Sequence, residues 1–397
     1  MFRVFKYKNF RLFFPGLIIS QIGIWMQNVA ISWLVYEVTN SAFITGFTTF
    51  VSTLPLFFFT PVAGVLIDKF NKHKFLLLLQ VLFLIQAVII TTLFYTDKIH
   101  LLNIIFSGIF MNTLISIDGP LRQSLFINLV DDKKDLTNAI SVNSSCFNLV
   151  KLLGPAISGI VIVNLSVGVC FIANAILIIP NIILVALMNI KDNSKHEEKN
   201  FLNNLKDGIR YVAKTPKILY LQLFLALFCF IIMIYPMLMP IFTKDIYNAN
   251  ADILGYIMAS IGFGALISSL LIASKKNNDN LKTIMLTACF TLGISLILFG
   301  TIKNIYFSLI IAFLIGLCIT GFVTPQISLL QSVIDNNLRG RVMSYNTIAI
   351  LGTSSLGTIF SGIVTELIGI TNTFILYGII LITIACIFYK KLKNINY

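Results

Sequence analysis

Charge is what this sequence lacks. Only 11% of its 397 residues are Asp, Glu, Lys or Arg, where soluble domains carry roughly a quarter. That excludes a single soluble globule, because a chain of this length could not cover so much apolar surface. Histidine is also scarce. His73, His100 and His196 fall in three separate polar stretches, so no acid–base or nucleophile constellation forms by spacing. An integral membrane enzyme, such as a lipid-modifying transferase, would need one. The six cysteines, Cys146, Cys170, Cys229, Cys289, Cys318 and Cys386, lie inside apolar runs without paired spacing. Neither a disulfide frame nor a zinc site follows, and packing is their expected role. No Walker-type phosphate loop is present, which argues against direct ATP use. No metal or cofactor is expected.

What fills the chain is apolar: 57% of residues are hydrophobic and 34 are Phe, with mean hydropathy +0.91. Twelve runs are long enough for a hydrocarbon core about 30 Å thick. They are Phe10–Tyr36, Phe43–Ile67, Phe75–Tyr95, Leu101–Gln123, Asn138–Val163, Val167–Met188, Ile218–Phe242, Ile253–Ala273, Thr283–Ile302, Tyr306–Leu329, Val342–Leu367 and Thr373–Tyr389. Runs this long and without alternation predict helices, the one open-ended structure that satisfies its own backbone in lipid.

The net charge of +13 could suggest nucleic acid, but its placement argues for topology instead. With both termini cytoplasmic, the outer loops hold only Lys98, Lys244 and Lys303, while most of the other bases fall in inner loops and tails. That is the positive-inside asymmetry. It predicts a multi-pass protein of the bacterial inner membrane that contacts anionic lipid and no nucleic acid.

One sizeable polar segment, residues 189–217, divides six runs from six. Within it Phe201, Leu205, Ile209 and Val212 recur at spacings of three and four, predicting an amphipathic surface helix. The halves also repeat. At one fixed offset Ser141 meets Ser344, Asn143 meets Asn346, and Ser158-Gly159-Ile160-Val161 meets Ser361-Gly362-Ile363-Val364. The expected fold is all-α and membrane-integral: twelve transmembrane helices in two pseudo-symmetric six-helix bundles, residues 1–188 and 218–397, joined by the 189–217 linker. Repeats of this kind place a substrate near mid-membrane between the halves. One copy of the chain is sufficient.

Four sequences carry candidate chemistry. Gly64-Val-Leu-Ile-Asp68-Lys69-Phe-Asn71-Lys72-His73-Lys74 lies between the second and third runs. An acid ending a helix there can pair with a base or sit against another helix's N-terminus. Gly64 would permit close approach to a neighbour, and Asn71 would tolerate a left-handed turn. Asp118-Gly-Pro-Leu-Arg122-Gln123 places an acid and a base four apart, on one helix face. The pair reads as a structural charge cluster, with Arg122 joining Asp68, or as a proton site at Asp118. Lys151 lies mid-run in the fifth span. A buried ammonium there would bind an anionic substrate, take part in coupling, pair with Asp118, or snorkel to a polar pocket. Gly154-Pro155 follows it. In the first run Gln21, Trp25 and Asn28 share a face, which either lines a cavity or bonds helix to helix. Gln222 and Gln326 are further polar candidates in the second half. Glu37 and Glu366 fall at outer helix ends, where solvation explains them.

These segments resemble the major facilitator superfamily, whose Gly-x-x-x-Asp-base-x-Gly-base pattern sits between its second and third helices; here Asn71 replaces the turn glycine. Over nearly the whole chain, Phe5-Lys-Tyr-Lys-Asn-Phe-Arg11, Asp118-Gly-Pro-Leu-Arg-Gln123, the stretch Leu136 to Gly159, and Leu338-Arg339-Gly340-Arg341-Val342 are similar to the enterobactin-exporter and macrolide-efflux branch. The resemblance implies proton-driven export of a small molecule, a siderophore or drug, by alternating access. An importer of a small solute remains the alternative. It also implies a gating latch at Gly64, Asp68, Lys69, Lys72 and Arg122 against the start of the eleventh helix at Arg339 and Arg341. It gives Gly154 and Pro155 the role of a helix-5 kink that tilts direction toward export. Ile24 stands where relatives often carry a polar residue, which argues against a proton site there.

Overall fold

The computed structural model describes residues 3–130, 135–189, 211–212, 215–232, 235–274, 280–334 and 339–393. Among these every regular element is helical. After a 3-10 turn at Arg3–Lys6 come α1 (Lys8–Thr39), α2 (Ala42–Lys69), α3 (Lys72–Tyr95), α4 (Leu101–Leu129), α5 (Leu136–Asn164) and α6 (Val167–Ala186). The second half holds α7 (Pro216–Ile232), α8 (Tyr235–Asp245), α9 (Ala251–Ala273), α10 (Leu281–Thr301), α11 (Ile305–Val333), α12 (Arg339–Ile368) and α13 (Ile370–Lys393). Taking α7 and α8 as one span, 11 helices are long and apolar enough to cross a membrane, and Leu149–Asn164 of α5 is a shorter apolar segment. The seventh expected span is described in two parts, α7 and α8, because residues 233–234 between them lie outside the described residues. The expected amphipathic helix lies outside the described residues except for Tyr211 and Val212.

The joints are short and chemically specified. Asn40 takes φ 47° between α1 and α2, and Gly369 takes φ 80° as the single residue between α12 and α13; both are residue types that accept the left-handed region. Asn71 does not turn left-handed as the sequence suggests. Its φ is −60°, and its side chain accepts from the Lys74 amide, so it caps α3. Asn304 caps α11 in the same way, accepting from Tyr306 and Phe307.

The described chain forms two compact units: residues 1–38 with 51–199, and residues 39–50 with 200–397. In unit 1, α1 and α6 run antiparallel and close together because α1 offers glycines. A Cβ on Gly16 would lie 2.7 Å from Asn181 Oδ1, and one on Gly23 would lie 2.7 Å from Asn174 Oδ1. Small residues permit such approach where lipid supplies no hydrophobic drive. Lower down, Lys6 pairs with Asp135 at 2.7 Å and Tyr7 donates to the same carboxylate at 2.9 Å, tying the N-terminal turn to the start of α5. That bond holds the Lys6 ammonium above the usual lysine range.

Unit 2 packs by backbone contact and aromatic stacking. α9 meets α11 where Gly264 faces the Phe313 carbonyl and Gly316 faces that of Ile261. α10 meets α13 where Gly293 faces Gly378. Phe228 stacks on Phe322 at 3.7 Å between centroids, Phe224 on Phe388 at 4.5 Å, and Phe242 tilts against Phe299 at 4.7 Å. The first turns of α2 belong here too. Gly46 and Gly362 let α2 and α12 touch main chain to main chain.

Candidate functional site

The candidate site is built in unit 1 on α4. Four-residue spacing brings Arg122 Nε to 2.6 Å from Asp118 Oδ2, and both side chains are buried, at 6% and 8% exposure. Charges at such depth need partners. Asp118 has a second donor, Gln80 of α3, at 3.1 Å. Gln80 in turn accepts from Asn181 of α6 at 2.8 Å, and Asn181 also reaches Ser20 of α1 at 3.2 Å. One continuous chain of bonds therefore crosses four helices. Arg122 is less complete. Its Nη1 and Nη2 are buried without a hydrogen-bond partner among the described residues, beside the Phe13 ring, whose centroid lies 5.8 Å from Cζ. Asp118, Arg122, Gln21, Ile24, Gln123 and Asn143 are among the residues lining a cavity of about 190 Å³. Asn143 Oδ1 is likewise buried and without a partner among the described residues. Such groups call for water or a ligand. Chemically, the wall offers a forked cationic donor and neutral amides, a set suited to oxygen acceptors.

A second polar layer lies further along α1. Asn174 donates to Gln27 at 2.6 Å, Gln27 to Gln86 at 3.2 Å, and Gln86 to Ser107 at 2.7 Å. Gln80, Gln86, Asn174 and Asn181 are not among the residues the sequence singles out. The signal was available: each is an amide inside an apolar run, and Asn174 and Asn181 stand seven apart, two turns of one helix face.

The expected Gln21–Trp25–Asn28 face divides. Gln21 lines the cavity, Trp25 packs on α5, and Asn28 is exposed. A Cβ at Gly154 would lie 2.5 Å from Trp25 Cβ, so Gly154 seats α5 on α1, with Ser158 bonding the Met26 carbonyl at 3.1 Å. Pro155 lies within α5. The Lys151 side chain has exposed surface, and Asp118 is engaged by Arg122 and Gln80. Gln326 of unit 2 reaches Asn346 at 3.1 Å, while both polar atoms of buried Gln222 have no partner among the described residues. Lys72 starts α3. The side chains of Gly64, Asp68, Lys69, Arg339 and Arg341 lie outside the described residues.

Glu366 departs from expectation. It is exposed, yet its Oε2 accepts from the Ala42 amide at 3.0 Å, the Phe43 amide at 3.2 Å and the Ser41 hydroxyl at 3.3 Å. A carboxylate of α12 therefore caps the N-terminus of α2, where the helix dipole favours negative charge.

Comparison with known proteins agrees with this architecture. The chain is 25% identical over 391 residues to the staphyloferrin A transporter of Staphylococcus aureus, covering 96% of this chain and 97% of that protein. It is 21% identical over 392 residues to macrolide efflux protein A of Streptococcus pyogenes, covering 96% of each. Its fold matches that of a POT family transporter solved with a thioalcohol-conjugated peptide, with TM-score 0.76 at 13% identity, over 96% of this chain and 95% of the other. The sequence pattern of the transmembrane secretion effectors fits residues 1–396, and the chain belongs to that family of major facilitator transporters.

Proposed function

We propose that the protein exports a small organic molecule, of siderophore or drug type, across the bacterial inner membrane in exchange for protons. Residues 1–188 and 218–397 act as two bundles that rock about a central pathway, with both termini cytoplasmic and one chain sufficient. The observation that carries this reading is the buried Asp118–Arg122 pair at a cavity wall, with two guanidinium nitrogens unpaired among the described residues, in a family named for secretion. Arg122 takes an oxygen acceptor of the substrate, with Gln21 beside it. Gln222 and Gln326 serve as polar contacts in the second half. Asp118 or Lys151 carries the coupling proton. Gly64, Asp68, Lys69 and Lys72 with Arg339 and Arg341 form a cytoplasmic latch that favours the outward-open state.

Siderophores and macrolides are the first substrates to test, since the relatives are named for them. The assay is uptake by inverted membrane vesicles containing the full chain. A proton gradient, inside acidic, should drive accumulation, and a protonophore should abolish it. Asp68→Ala should slow uptake at unchanged protein level. Accumulation that ignores both the gradient and the protonophore rejects proton exchange. Full activity of Asp68→Ala removes the latch.

A further inference from the structure

A second cavity, of about 610 Å³, opens in unit 2 between α10 and α13. Its size is that of a small-molecule site, and neither the polar chain nor the transport reading uses it. The two helices run antiparallel and touch at Gly293 and Gly378, and again where Gly300 meets Thr371. The same register sets the first turn of α10 beside the last turns of α13. Lys282 and Lys390, one from each helix, line the cavity at that end. Thr283, Thr287 and Thr291 follow along α10 at a spacing of four, on one face. Phe290 and Tyr389 line it as well and are 42% and 55% exposed. The exposed apolar row continues along α10 through Ile294 and Leu298.

We propose that this groove binds one anionic phospholipid of the leaflet on the C-terminal side. Its phosphate lies between Lys282 and Lys390 with a threonine hydroxyl as donor, and an acyl chain runs over Phe290 along α10. Charge complementarity selects this occupant. Basic pockets between membrane helices at the headgroup level attract anionic lipid. The described residues at this end, 280–283 and 389–393, contain four lysines and no acid. The apolar flank is exposed and continuous, as an acyl chain needs and a soluble anion does not. Lys391 is not part of the groove, since its ammonium lies 5.1 Å from the Tyr220 ring on α7.

Cys386 lines the groove and is exposed, while the other cysteines are buried or half-buried, so it reports occupancy. The experiment measures maleimide labelling of Cys386 by mass spectrometry on the delipidated full chain in detergent. Dioleoylphosphatidylglycerol should slow the labelling well below the rate seen with dioleoylphosphatidylcholine, which has the same chains. Lys282→Gln with Lys390→Gln should raise the phosphatidylglycerol concentration needed by about tenfold, and Lys391→Gln should leave it unchanged. Lys390→Gln alone, an exposed position, provides the same test should the double variant be unstable. Equal protection by both lipids overturns the proposal, as does undiminished protection in the lysine variants. Protection by glycerol 3-phosphate alone would assign the groove to a soluble phosphate and also overturn it. Transport need not change in any of these arms, so failure here is separable from failure of the export reading.

Discussion

In unit 1, Gln27, Gln80, Gln86, Asn174 and Asn181 sit in the helix interfaces and bond across them. In unit 2 the corresponding interior is aromatic, with Phe224, Phe228, Phe322 and Phe388 stacked in series. Both are ways to hold helices together in a solvent as apolar as their own side chains. They differ in what else they permit. Amides and charges can exchange partners with water or a ligand; stacked rings cannot. Among the described residues, exchangeable amides and charges therefore gather in unit 1, with Gln222, Gln326 and Asn346 as their fewer counterparts in unit 2.

The sharpest attempt to break this contrast is Arg122→Met. It strands the Asp118 carboxylate with Gln80 alone and should cost about 3–5 kcal/mol, read as a large fall in thermal midpoint in detergent together with lost efflux. Adding Asp118→Asn should recover most of the stability and none of the transport. Recovery of both would make the pair purely structural. Next is Phe228→Ala in unit 2, where a fully buried ring is removed. About 3 kcal/mol should be lost, with transport per folded molecule retained. Lost transport at full stability would place chemistry in the aromatic half. Glu366→Ala removes three acceptor contacts at the start of α2 and should cost about 1 kcal/mol. Proteolysis near residues 39–42 should become faster; an unchanged rate would show the cap to be idle.

The smallest effect concerns Lys6. Its folded-state pKa is raised by Asp135, so its contribution is fully present below the ordinary lysine value, about 10.4. It is lost as pH climbs through the higher, folded value. Lys6→Met should therefore lower stability slightly and equally at pH 6 and pH 9. The difference should disappear in strongly alkaline buffer. A difference that instead vanishes between pH 6 and pH 9 would mean another group carries it.

Much of this was legible in the chain. Runs of twenty apolar residues predict helices because lipid leaves the backbone no alternative, and four-residue spacing predicts the Asp118–Arg122 contact because one turn brings those positions together. What stayed hidden depends on neighbours distant in sequence. Glu366 looked solvated because nothing local shows that the α2 amides stand 324 residues away in sequence. Asn71 was misjudged for a local reason: a turn position admits two uses of the same side chain, and capping won over left-handed geometry.

The pairing of Gly16 with Asn181 and Gly23 with Asn174 has an evolutionary corollary. Each asparagine occupies the volume a methyl group would fill, so neither member can drift alone. Enlarging a glycine demands shrinkage on the opposite helix, and both couples must remain in phase for the amides to meet Ser20 and Gln27. Across descendants of this chain, those four positions are bound to covary as a set.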